Sequence, residues 1–110
     1  MRFLLASLFA LLLAPLVPAA YAADPQVFTL TLHETQFEPA ELTVPANQKI
    51  ELQVVNQTKG PVEFESHDLH REKVVTAGRR VSLSIGPLNP GSYEFFNDFN
   101  PKVRGHLIAR

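Results

Sequence analysis

Acidic and imidazole side chains gather in one short stretch of this 110-residue chain, where Glu63, Glu65, His67, His70 and Glu72 follow one another, with Asp98 further on. Glu63 and Glu65 alternate with Val62, Phe64 and Ser66. On a strand this parity sends both carboxylates to the face opposite Val62 and Phe64, about 6 to 7 Å apart. Two carboxylates so placed can hold one hard or borderline divalent cation between them. The same alternation also marks a solvated sheet face. His67 continues the parity of the two glutamates and His70 follows within a turn, so either imidazole would complete a mixed set that favours divalent copper over iron. Exposed loop histidines are the competing reading. Glu72 lies between Arg71 and Lys73, which reads as a surface ion pair or a further ligand, and Asp98 reads as a turn former or a ligand.

Composition removes several other chemistries. There is no cysteine, and the one methionine is Met1. Disulfides, thiolate metal sites, cysteine nucleophiles and thioether ligation of copper are therefore excluded from the body of the chain. Ten Lys and Arg against eleven Asp and Glu leave a net charge of −1. That balance offers no cationic surplus for neutralising phosphates, so nucleic acid is not an expected partner. No Gly-x-Ser-x-Gly elbow and no glycine-rich phosphate loop is present, which leaves hydrolase and nucleotide chemistry without support.

The elements that must position these residues are short strands. Met1-Arg2 opens a run from Phe3 to Val17 that is almost wholly apolar, and Ala20-Tyr21-Ala22 offers the small-x-small pattern of a signal peptidase site. Residues 1–22 are read as a secretory signal peptide and 23–110 as one small domain, exported to the periplasm. A membrane anchor is the poorer reading, because Pro15 and Pro18 interrupt a run shorter than the ~20 residues that span a bilayer. From Val27 onward apolar residues recur at every second position, as in Phe28, Leu30 and Leu32, Ile50, Leu52 and Val54, and Val81, Leu83 and Ile85. Strands are expected near 27–32, 41–44, 50–56, 62–66, 80–85, 91–96 and 105–109, with one helical turn over 68–72. Seven or eight short strands divided by Pro, Gly and Asn turns predict an all-β, antiparallel Greek-key sandwich. Its core should include Phe28, Leu30, Leu52, Val54, Phe64, Leu83, Ile85, Tyr93 and Phe95.

At this level the residues resemble a known family. FEPAELTVPANQKIELQVVNQ, Phe37 to Gln57, resembles the opening of cupredoxins, and NPGSYEFF, Asn89 to Phe96, resembles the strand that precedes their metal loop. EFES at Glu63 to Ser66 and LHREKV at Leu69 to Val74 narrow the likeness to the small periplasmic cupredoxin-like proteins of bacterial iron-uptake systems, related to the EfeO-type cupredoxin domain. The resemblance implies a cupredoxin-like fold and departs from it at the blue copper ligands. The Cys position reads Asn97, the stretch Asn97 to Arg104 holds neither His nor Met, and Val62 stands at the place of the first His. Two positions where the iron-associated subgroup often has His read Thr35 and Asn100. Glu63, Glu65 and Glu72 match acidic positions of that subgroup, and Asp98 stands where an acidic loop residue is common.

What the resemblance implies is a periplasmic accessory of iron uptake that binds copper or iron at a non-blue site. Glu63, Glu65, Asp98, His67, His70 and Glu72 are the candidate ligands. It would assist iron oxidation or hand iron to a permease or a periplasmic iron-binding partner, touching the membrane only through that partner, and would not be an independent enzyme. The alternative is a metal-free β-sandwich that docks on a periplasmic partner.

Overall fold

The computed structural model describes residues 2–4, 6–16 and 24–110. The proposed cleavage tripeptide Ala20-Tyr21-Ala22 lies outside them. No helix of the described residues is long and apolar enough to cross a membrane.

The described residues form nine strands: β1 (Gln26–Leu32), β2 (Phe37–Glu38), β3 (Glu41–Val44), β4 (Ile50–Asn56), β5 (Val62–Ser66), β6 (Arg71–Val75), β7 (Arg80–Ile85), β8 (Gly91–Asn97) and β9 (Asn100–Ala109). They build two layers, one in the order β2-β1-β4-β7 and one in the order β3-β9-β8-β5-β6. Period-two hydrophobicity does what it must in such a sandwich, since each strand turns one apolar row inward. Leu30, Leu32, Ile50, Leu52, Val54, Phe64, Ile85, Phe95 and Leu107 are at most 2% exposed. Phe37 meets Phe95 edge-on with ring centroids 4.8 Å apart, and Phe64 lies 5.6 Å from the same ring. Phe28, Leu83 and Tyr93 are only partly buried and pack against this core from its margin.

The all-β sandwich is as expected, and three of its details differ. Both sheets are mixed, not antiparallel, because β1 pairs with β4 in parallel and β3 with β9 in parallel. Alternation has the same parity in either direction, so it carries no sign of strand polarity. Two strands escaped the pattern, making nine in place of seven or eight. β2 is two residues long, and β6 exposes Arg71, Glu72, Lys73 and Val74 and buries only Val75. No helical turn forms over 68–72. Residues 67–70 make a four-residue turn, with His70 at φ 54°, and Arg71 is already in a strand opposite Ser66.

Candidate metal centre

The β5–β6 hairpin is the element that assembles the site. Val62, Phe64 and Ser66 are buried while Glu63 and Glu65 point to the outer face of the five-stranded sheet. Antiparallel register puts Glu72 of β6 directly opposite Glu65, and Val74 opposite Glu63. Directly opposed residues on one face have Cβ atoms about 5 Å apart. Glu63, Glu65 and Glu72 accordingly each bring one carboxylate oxygen within 4.8 Å of the other two. Ligand oxygens at right angles around a small divalent cation stand about 3 Å apart. A small rotation of each side chain closes that difference.

Side chains hold the hairpin turn against β8. Ser66 Oγ donates to Glu94 O at 2.6 Å and accepts from Leu69 N, and Glu94 N donates to Asp68 Oδ2 at 2.9 Å. These contacts continue the sheet where main-chain pairing between β5 and β8 has ended. His67 Nδ1 then lies 3.7 Å from Glu65 Oε1, with its ring 5.4 Å from that of Phe96. A surface cavity of about 420 Å³ is lined by Glu65, Ser66, His67, His70, Arg71 and Glu72. His67 and His70 thus share one cavity with two of the carboxylates, and His67 is the imidazole that comes near the trio, at Glu65.

No Lys or Arg forms an ion pair with Glu63, Glu65 or Glu72 among the described residues, although Lys73 lines a surface hollow with Glu63 and Glu72. The neighbouring Arg71 turns its guanidinium away, donating to Ser84 O at 2.9 Å and to His70 O. The surface ion pair expected for Glu72 is therefore absent among the described residues. The Glu65 carboxyl is held above its ordinary value, first by a hydrogen bond shared with Glu63, then by burial, then by the charges of Glu72, Asp98 and Glu63. Like charges brought this close together make ionisation of one member costly.

Asp98 is close but outside the trio. Its main-chain N donates to Glu63 O at 2.9 Å, while its side chain is exposed in the β8–β9 turn. The long segment expected between the last two strands is a tight hairpin, because β9 starts at Asn100 and pairs with Asn97. Asn97 is 7% exposed, and its Oδ1 accepts from Glu63 N and Phe99 N, both at 3.1 Å. In the sequence Asn97 stands out only as a missing cysteine, and its bond to Glu63 is not foreseen there. The signal was an Asn opening an Asn-Asp-Phe-Asn turn.

Comparison with known proteins agrees with this architecture. The chain belongs to the family of the cupredoxin-like domain, whose family model matches residues 3–109. An uncharacterized protein of Rickettsia prowazekii (strain Madrid E) is 42% identical over 81 residues, 73% of this chain and 65% of that protein. The match thus spans just under two thirds of the relative's length. Among solved structures, a dithionite-reduced auracyanin from Roseiflexus castenholzii superposes with a TM-score of 0.63 at 13% identity, covering 81% of this chain and 99% of that one. Auracyanin A, a blue copper protein from Chloroflexus aurantiacus, gives 0.65 at 14% identity over 79% and 100%. A purple cupredoxin from Nitrosopumilus maritimus gives 0.59 at 15% over 79% and 100%. At such identities the likeness shows the fold alone.

A blue copper centre does not fit these residues. It needs a thiolate, and the chain has none. The position that resembles the cysteine is taken by an amide whose oxygen is used by two main-chain N–H groups. Copper-loaded protein is therefore expected to lack the intense visible band of a copper–thiolate bond. A strong blue colour on adding Cu²⁺ would contradict this.

Proposed function

We propose that this protein is an exported metal-binding accessory of iron uptake that holds one divalent copper or iron ion at a non-blue, carboxylate-rich site. The observation that carries the reading is the convergence of Glu63, Glu65 and Glu72 on one sheet face, none of them in ion-pair contact with a Lys or Arg among the described residues. A bound cation supplies the missing positive charge, and a copper or iron ion adds a one-electron couple. The chain's own residues supply three anionic oxygens and, from the adjoining turn, the His67 imidazole. Oxygen donors with one nitrogen accept either metal, and the general affinity order places Cu²⁺ above Fe²⁺. The iron-uptake setting, hand-over to a permease or a periplasmic iron-binding protein, and assistance in iron oxidation rest on the residue resemblance at Glu63 to Ser66 and Leu69 to Val74. Export rests on the leader. A docking module without metal is the second reading, favoured by Phe99, which is 54% exposed at the tip of the β8–β9 turn.

Calorimetry with Cu²⁺ and Fe²⁺ tests the site. Since losing a group that only supports a ligand costs about 10- to 100-fold in affinity, removing two ligand charges in Glu63→Gln/Glu65→Gln should cost at least roughly 100-fold. Outer-face substitutions of this kind change stability by about 0.5 kcal/mol or less, so the variant remains folded. Equal Cu²⁺ affinity in wild type and variant would remove the site and leave the docking reading ahead.

The raised Glu65 pKa also predicts the pH dependence of the metal-free protein. Folding disfavours the charged carboxylate, so the folded state is favoured most below the unfolded value, near 4.5, and loses that contribution as pH rises through the raised folded value. Glu65→Gln should therefore gain stability relative to wild type as pH rises from about 4 to 7. Denaturant midpoints across that range check it, and a constant difference between the two proteins would show that the like charges are not felt.

A further inference from the structure

On the reading that Glu63, Glu65 and Glu72 hold a cation, we propose that Asn97 is the positioning residue of the site, fixing Glu63 through the β8–β9 turn. Pairing of β5 with β8 is confined to Phe64↔Asn97 and Glu65↔Phe96, and the β8–β9 register shifts between Phe96 and Asn97. Glu63 therefore lies just past the end of its strand partner. The turn replaces the missing ladder on both sides of the Glu63 residue. Asn97 Oδ1 accepts from Glu63 N at 3.1 Å, and Asp98 N donates to Glu63 O at 2.9 Å. The same Oδ1 accepts from Phe99 N at 3.1 Å, so one side-chain oxygen ties the turn to the ligand strand.

The other neighbour of Glu63 is weaker as a support. It is Val74 of β6, an outermost strand of the sheet whose residues 71–74 are all exposed. A working site must be held within about 0.5 Å of its productive geometry by groups whose own position is locked. Asn97, buried and bonded, meets that description, whereas β6 has no strand beyond it among the described residues. The position that resembles the cysteine of a blue copper protein thus serves a different site on the outside of the sheet.

The variants Asn97→Ala, Asn97→Asp and Glu63→Gln separate positioning from simple stability, read by Cu²⁺ calorimetry and by electron paramagnetic resonance of the Cu²⁺-loaded protein. Both Asn97 contacts use the side-chain oxygen, which Asp retains and Ala lacks. Asn97→Ala should lose about tenfold in Cu²⁺ affinity, as expected for a group that supports a ligand, and its resonance spectrum should move toward that of Glu63→Gln. Asn97→Asp should show no loss of Cu²⁺ affinity, its added negative charge favouring a cation, and should keep the wild-type spectrum. If Asn97→Ala does not fold, Asn97→Ser, whose oxygen is one atom nearer the backbone, takes its place with the same expectation. Unchanged affinity and spectrum in the Ala or Ser variant overturns the inference alone, as does an equal loss in the Asp variant. A wild-type protein that binds no Cu²⁺ overturns the metal-binding reading and this inference with it.

Discussion

Replacing Gly105 by alanine should lower stability by about 3 kcal/mol, at the upper end of what overpacking a core costs. A methyl group at this position would collide with Ala40 O and stand 2.8 and 2.9 Å from two ring carbons of Phe95. Neither neighbour can give way. Ala40 O is held by a 2.8 Å hydrogen bond from His106 N, and Phe95 is fully buried against Phe37 and Phe64. Domains of this size lose roughly 4–8 °C per kcal/mol, so a drop in melting temperature of roughly 12–24 °C is expected. Gly60 is the control, since a Cβ there meets nothing within 4 Å. Thermal unfolding of Gly105→Ala and Gly60→Ala measures the contrast, and equal melting temperatures would show that the Ala40 carbonyl and the Phe95 ring, both beside β9 in its own layer, move aside freely.

The second large effect is expected at Asn56. It is 0% exposed and shares the inward parity of Ile50, Leu52 and Val54. Its Nδ2 donates to Gly60 O at 2.9 Å and to Val75 O at 2.8 Å, while Oδ1 accepts from Thr58 N at 2.8 Å and Thr58 Oγ1 at 2.7 Å. One amide thereby joins the end of β4, the loop before β5 and the end of β6. Asn56→Ala leaves buried partners unpaired and should cost about 3 kcal/mol. Asn56→Asp keeps the shape but replaces a donor to two carbonyls with an oxygen, and its loss should be at least as large at neutral pH and smaller at acid pH, where the carboxyl is protonated. Denaturant unfolding at two pH values separates these cases. A change below about 0.5 kcal/mol in both variants would mean that water replaces the amide.

Legibility differed between residues for physical reasons. Alternation reported the buried rows of β1, β4, β5 and β7, because solvent on one side and core on the other select residues by parity. The same parity places Glu63 and Glu65 on the outer face, where they are found. It was silent on β6, whose outermost position exposes four successive residues and leaves no pattern to read. At Asn56 the inward parity of β4 holds, but a polar residue fills the core position, and it can do so because every one of its hydrogen bonds is satisfied.

Composition alone determined the chemistry that is ruled out, since a chain without cysteine cannot make a thiolate–metal bond in any fold. Local pattern alone determined the all-β class and which face each acidic residue of β5 takes. Tertiary structure decided the rest of the site. Glu72 joins Glu65 because β6 folds back antiparallel in one register, and a shift by one residue would send its carboxylate to the other face. Asp98 stays beside the trio because Asn97 tightens the last connection into a two-residue turn, closed by bonds to Glu63 from a strand far away in sequence. Parity is a property of each strand by itself, whereas register and turn closure depend on which strands meet, and that is settled only when the two sheets pack around one core.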